Sequence, residues 1–145
     1  NMLTGREEYW KLQLQDHIFS MHTMRESIAF IYTAVNNCTR SKELSWIFGE
    51  SNKTGRSEFK ISQTQSGKIK TYAIDRTLID ENGVRWIIDF KTGAPRGRST
   101  GEFIDQQKEL HAPQLSRYKE LFQQLETRET KTAILFTAIS KLVPL

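Results

Sequence analysis

The chain has 145 residues, 37% of them hydrophobic and 26% charged, with a formal net charge of +4. That length suits one domain with a sizeable core, and no apolar run approaches the roughly 18 residues of a membrane-spanning helix. One cysteine, Cys38, rules out an internal disulfide, and NMLTGREEYW lacks the basic-then-apolar pattern of a signal peptide, so a reduced intracellular chain is expected.

In chain order, the first third reads as helical. REEYWKLQLQDHIF carries Tyr9, Leu12, Leu14 and Ile18 among polar residues, and MRESIAFIYTAVNN carries Ile28, Ile31, Ala34 and Val35 at near-helical spacing. SKELSWIFGE predicts a short helix with Ser41 as N-cap and Gly49 as stop. The period then drops to two. RSEFKISQ alternates, with Phe59 and Ile61 on one face and Glu58 and Lys60 on the other. KIKTYAIDRTLI is the next strand, DENG at 80–83 a hairpin turn, and VRWIIDFK the returning partner. TGAPRGRSTG is a basic, Gly-rich loop, and the stretch from Glu102 to Ala112 reads as helical or mixed. Pro113 suits the first turn of a new helix, APQLSRYKELFQQLE, striped by Leu115, Tyr118, Phe122 and Leu125. TAILFTAI is a further strand, and KLVPL begins its partner. Helices, three strands, helix and strand make an α/β fold with a mixed central sheet. Residues 1–50 form its helical N-terminal part and residues 51–145 its core, within a single domain.

Charge is uneven along this chain. Lys and Arg outnumber Asp and Glu by 10 to 5 over residues 51–100, against 5 to 6 before and 6 to 6 after. A local basic excess suits a polyanionic partner.

The chemistry gathers at two strand ends. Asp89 and Lys91 alternate onto one face of their strand, about 7 Å apart along the chain. Pairing about the 80–83 turn sets residues near Asp75 opposite residues near Asp89. Like charges across a ladder repel. A hard divalent cation offsets them: Mg²⁺ takes oxygen ligands and is commonly held by one or two carboxylates. It also activates water and stabilises a phosphoryl oxygen, while Lys91 supplies further positive charge. This acid–acid–lysine arrangement suits phosphodiester hydrolysis, although a plain salt bridge between Lys91 and an aspartate at the sheet end uses the same residues. No G-x-x-x-x-G-K-[ST] loop is present, which argues against an ATPase, and no Cys/His cluster suggests zinc.

AIDRTLIDENGVRWIIDFKTG followed by APQLSRYKELF closely resembles the RecB-like branch of the PD-(D/E)XK nuclease superfamily, found at the C-terminus of UvrD/Rep-type helicases and in exonuclease V beta-like subunits. An I-D-R strand, an I-I-D-[YF]-K-T strand and a Q-L-x-x-Y helix occur in the family's order, over roughly residues 42–145. The resemblance implies a PD-(D/E)XK (restriction-endonuclease-like) core and a Mg²⁺-dependent (or Mn²⁺-dependent) deoxyribonuclease. It implies Asp75, Asp89 and the backbone carbonyl of Phe90 as metal ligands and Lys91 as the catalytic lysine. Gln114 and Tyr118, on one helix face, would orient Lys91 or touch DNA. Glu58 would match the family's acid in the preceding strand, although an alternating strand also places it on a solvated face. Arg76, facing away from Asp75, reads as structural or DNA-facing, and Asp80 and Glu81 as exposed turn residues. Implied partners are DNA, single-stranded for preference, and linked helicase domains in a longer bacterial cytoplasmic chain that serves DNA repair and recombination. The family's metal-binding His, on a helix well upstream, has no counterpart in place, since His17 and His22 sit in another context.

Overall fold

The computed structural model of the chain describes residues 21–49 and 52–145, so the helix expected over REEYWKLQLQDHIF lies outside the described residues. Two helices lead, α1 (Met21–Arg40) and the short α2 (Ser45–Phe48). Strands β1 (Arg56–Gln65), β2 (Lys68–Ile79) and β3 (Arg85–Lys91) follow. The long α3 (Thr100–Leu125) then leads to β4 (Thr130–Phe136) and β5 (Lys141–Pro144). The strands form one sheet in the order β1-β2-β3-β4-β5. Neighbours pair antiparallel except β3 and β4, which run parallel across the α3 crossover. The expected α/β architecture with a mixed sheet is therefore present, flanked by helices.

The central strand shows why. A strand covered on both faces needs apolar residues at successive positions, and β3 supplies Trp86, Ile87 and Ile88. Ile87 joins Ile74, Ile134 and Phe136 beneath the α3 residues Phe103, Leu115, Tyr118 and Phe122. Ile88 joins Leu78 and Leu135 on the opposite face, beneath Cys38, Leu44 and Ile47 from the α1–α2 end. Ile87 and Ile88 are both fully buried. At the start of β3 the Arg85 guanidinium grips Glu126 past the end of α3 through two bonds of 2.7 and 3.1 Å, and lies over the Phe122 ring at 5.0 Å. That bidentate bond from Arg85 holds the Glu126 carboxyl below its ordinary pKa, against the opposing effect of burial.

Four local expectations are corrected. Helix α3 is one helix, not a mixed segment followed by a new one. It begins at a capping box in which Ser99 and Glu102 each accept from the other's backbone N–H, and it runs through Pro113. Proline removes one i→i−4 bond and crowds the preceding turn, but Glu109, Ala112 and Pro113 are exposed, so water reaches the freed carbonyl. The connector before it is accordingly shorter, and Gly101 is helical; Arg98 reaches forward to Gln106 of α3. Ser41 does not cap α2. Its carbonyl accepts from Leu44 N in a preceding turn, and Leu44 takes the cap position without a side-chain bond.

Asp80 is the fourth. Instead of facing solvent it organises the hairpin: Oδ1 accepts from the backbone N–H of Asn82 and Val84, each at 2.9 Å, and Oδ2 accepts from Trp86 Nε1 at 2.9 Å. Burial opposes ionisation, yet the bonds from Trp86, Val84 and Asn82 and the nearby Lys131 outweigh it, and the Asp80 pKa lies below the ordinary value. A depressed carboxyl pKa stabilises the fold above the unfolded-state pKa, and that contribution is lost as pH falls through the folded-state pKa. Asp80→Ala is therefore expected to cost about 1–3 kcal/mol at neutral pH. Urea unfolding should show the gap from the native chain narrowing in acid; a gap that does not change with pH would contradict the assignment.

Candidate active site

The β2–β3 register fixes the site. Arg76 pairs with Ile88, Thr77 with Ile87 and Leu78 with Trp86. One step further along the same register sets Asp75 opposite Asp89, and there the ladder ends. There Asp75 Oδ2 accepts the Phe90 backbone N–H at 2.7 Å. Asp89 is 6% exposed. Its Oδ2 lies 2.7 Å from Lys91 Nζ, two residues along the same face, but is otherwise enclosed and accepts no well-formed hydrogen bond. β4 closes the other side, with Ile134 beside Asp89 and Phe136 beside Lys91.

On the other edge of β2 the strand breaks its alternation. Ile74 packs under α3, while Leu78, four residues on, packs on the opposite face. A regular strand would turn both to the same side. The β1–β2 register is the same before and after, Phe59 with Ile74 and Ser57 with Arg76, but skips the pair between them, Glu58 and Asp75. Glu58 sits at φ 50, in the left-handed region that a residue with a Cβ enters at a cost. The irregularity therefore falls on the two acids of this strand pair.

The Asp75 carboxyl is pushed above its ordinary pKa. Burial is the largest cause; the Phe90 N–H and Lys91 oppose it, and Asp89 and Glu58 reinforce it. Asp75 thus feels the charges of Asp89, Lys91 and Glu58. Glu58 itself is exposed and forms no ion pair among the described residues.

Gln114 and Tyr118 meet β2 instead of Lys91. The buried Tyr118 hydroxyl donates to the Ala73 carbonyl at 3.1 Å and accepts from Gln114 Nε2 at 2.8 Å. This pins α3 to the strand two residues before Asp75. The residue of α3 that senses Lys91 and Asp89 is His111, which sequence reasoning missed. Burial and the Lys91 charge lower its pKa, against Asp89 and a bond with Gln114. Its signal was its spacing: His111, Gln114 and Tyr118 stand at i, i+3 and i+7, on one helix face. Arg76 proves structural. Its Nε and Nη2 donate to the Ile47 carbonyl at 3.1 and 2.8 Å and its Nη1 to Ser57 Oγ at 3.1 Å, closing the C-terminal turn of α2. A side chain at Gly55 would collide with that guanidinium. The Phe90 ring turns to the other face, against Phe48.

Among the described residues, no group of three or more His, Cys, Asp or Glu stands together as a metal cage. Mg²⁺ is commonly held by one or two carboxylates and completes its shell with water and phosphate. The enclosed Asp89 Oδ2, beside a second carboxylate that burial disfavours as an anion, gives such an ion oxygen donors and a charge to offset. No protein-family model matches the chain, and no curated protein matches it significantly.

A raised carboxyl pKa acts in the opposite sense to Asp80: folding is favoured below the unfolded-state pKa, and this advantage is lost as pH rises through the folded-state value. Asp75→Asn, neutral at all pH, is therefore expected to unfold at higher urea than the native chain at neutral pH in EDTA, with the advantage shrinking in acid. An equal or lower midpoint at neutral pH would show that the Asp75 charge is well accommodated.

Proposed function

We propose that this chain is a metal-dependent deoxyribonuclease domain with a RecB-like PD-(D/E)XK core, the exonuclease module of a UvrD/Rep-type helicase-nuclease working in DNA repair and recombination. The observation that carries the reading is the meeting of Asp75, Asp89 and Lys91 at the ends of two paired strands. In this reading Asp75 and Asp89 hold Mg²⁺ or Mn²⁺, with the Phe90 carbonyl as a further oxygen. Bound there, the ion lowers the pKa of water and draws charge from the phosphoryl group. Lys91, leaving Asp89, brings its ammonium to a non-bridging phosphate oxygen, where negative charge accumulates in the transition state. Water oxygen bonds to phosphorus, the bond to the leaving oxygen breaks, and a phosphate monoester and a free hydroxyl result. Burial and the Lys91 charge both disfavour a proton on His111.

One observation favours a second reading. The 2.7 Å contact between Lys91 and Asp89 is also what a structural ion pair at a sheet end looks like. In that case the chain is an incomplete nuclease that grips DNA or docks on a helicase. Labelled single-stranded DNA incubated with Mg²⁺ separates the two. The nuclease reading expects cleavage that EDTA abolishes and that Lys91→Ala or Asp89→Asn lowers by about 10²–10³. Undiminished cleavage by Lys91→Ala overturns the mechanism. DNA binding without cleavage, in this chain and in a longer one carrying upstream sequence, selects the second reading.

A further inference from the structure

The α3-facing side of the β1–β2 hairpin carries cations that no acid among the described residues neutralises. Lys68, Lys70, Tyr72 and Ile74 alternate onto that side of β2, and Tyr72 packs at the edge of the α3-covered core. Gln63 pairs with Lys70 and Ile61 with Tyr72 across the hairpin. Lys70 Nζ lies 5.4 Å from the Tyr72 ring centre, and the Arg117 guanidinium of α3 lies 5.9 Å from it. Tyr72 in turn meets Tyr118 edge to face at 6.0 Å. Lys70 and Arg117 are both exposed, and among the described residues neither forms an ion pair with a carboxylate. An ammonium and a guanidinium on the ring of one half-buried tyrosine are held in place without being neutralised. Their charge is left for a partner.

We propose that Lys70, Tyr72 and Arg117 form a grip for a single strand of nucleic acid beside the candidate active site. Cations held by an aromatic ring are the recurring means of holding single strands: phosphates meet the charges, and bases stack on the aromatic and guanidinium planes. Tyr72 precedes Asp75 by three residues, about 10 Å of strand, and Lys70 by five, about 17 Å. A strand seated on Lys70 and Arg117 therefore lies at the uncovered end of the hairpin, beyond the point where Tyr118 and Ile74 close α3 onto β2, and within about 10–17 Å of chain from Asp75. The exposed Ile69 at the hairpin end points to the other face, so this side offers a lipid surface no apolar anchor. The grip deepens the nuclease reading by naming what orients the substrate, and its position relies on that reading.

The test is fluorescence anisotropy of a labelled oligothymidylate with the whole chain in EDTA, titrated at several salt concentrations. The double variant Lys70→Ala/Arg117→Ala is expected to bind about tenfold more weakly, with a salt slope shallower by about 1.4, two phosphate contacts' worth on a single strand. Tyr72→Leu is expected to weaken binding about fivefold with little change in slope. Native affinity and slope in the double variant overturn the grip. So does binding to phosphatidylserine vesicles in preference to the oligonucleotide. Cleavage in Mg²⁺ is read separately. Lys91-dependent cleavage with binding indifferent to Lys70 and Arg117 defeats the grip and leaves the nuclease reading. Binding that depends on both cations, without cleavage in this chain and in the longer one carrying upstream sequence, supports the grip and defeats the nuclease reading.

Discussion

Two carboxylates are forced to share one face where the β2–β3 ladder ends. The hairpin register sets Asp75 against Asp89, and neither can move away without disturbing the pairing that buries Ile87 and Ile88. What surrounds them limits the cost of that repulsion: the Phe90 N–H on Asp75, the Lys91 ammonium on Asp89, and a raised Asp75 pKa. The compensation is incomplete, since Asp89 Oδ2 is enclosed without a well-formed hydrogen bond. A fold built only for stability would place apolar residues there, because ion pairs in such positions are often no better than well-packed hydrophobic groups.

The remainder of the fold holds this strand end in place from three directions. α3 is pinned to β2 by the Tyr118 hydroxyl and to the start of β3 by Glu126 and Arg85. The opposite face is closed by the α2 turn, whose last carbonyls are tied down by Arg76. The hairpin itself is locked by Asp80. Neighbouring residues thus divide the work. In the run Asp75-Arg76, the first faces the candidate site and the second seals the layer behind it.

The sequence carried most of the strands and the central constellation. Period-two patterns set β1 to β3, and the DENG turn fixed the register that brings Asp75 to Asp89. Other features were illegible for physical reasons. Pro113 reads as a helix start because proline breaks most helices, yet an exposed carbonyl made it tolerable. Asp80 looked like a solvated turn acid because its partners are the Trp86 indole and two backbone N–H groups, which no side-chain pattern announces. His111 was visible in principle, one turn before Gln114, but it enters the site through the approach of α3 to β3, a tertiary event. The slip in alternation at Glu58 and Asp75 had no local signal, since the residue at positive φ is Glu58 and glutamate does not favour that region.

The central claim is that Asp75 and Asp89 together make a site for a hard divalent cation. Titrating Mn²⁺ into the isotopically labelled chain without DNA, and following paramagnetic broadening of backbone amides, tests it most directly. The account predicts broadening that begins at Asp75, Asp89, Phe90 and Lys91, is displaced by excess Mg²⁺, and disappears in Asp89→Asn. Broadening centred elsewhere, or undiminished in Asp89→Asn, would contradict it.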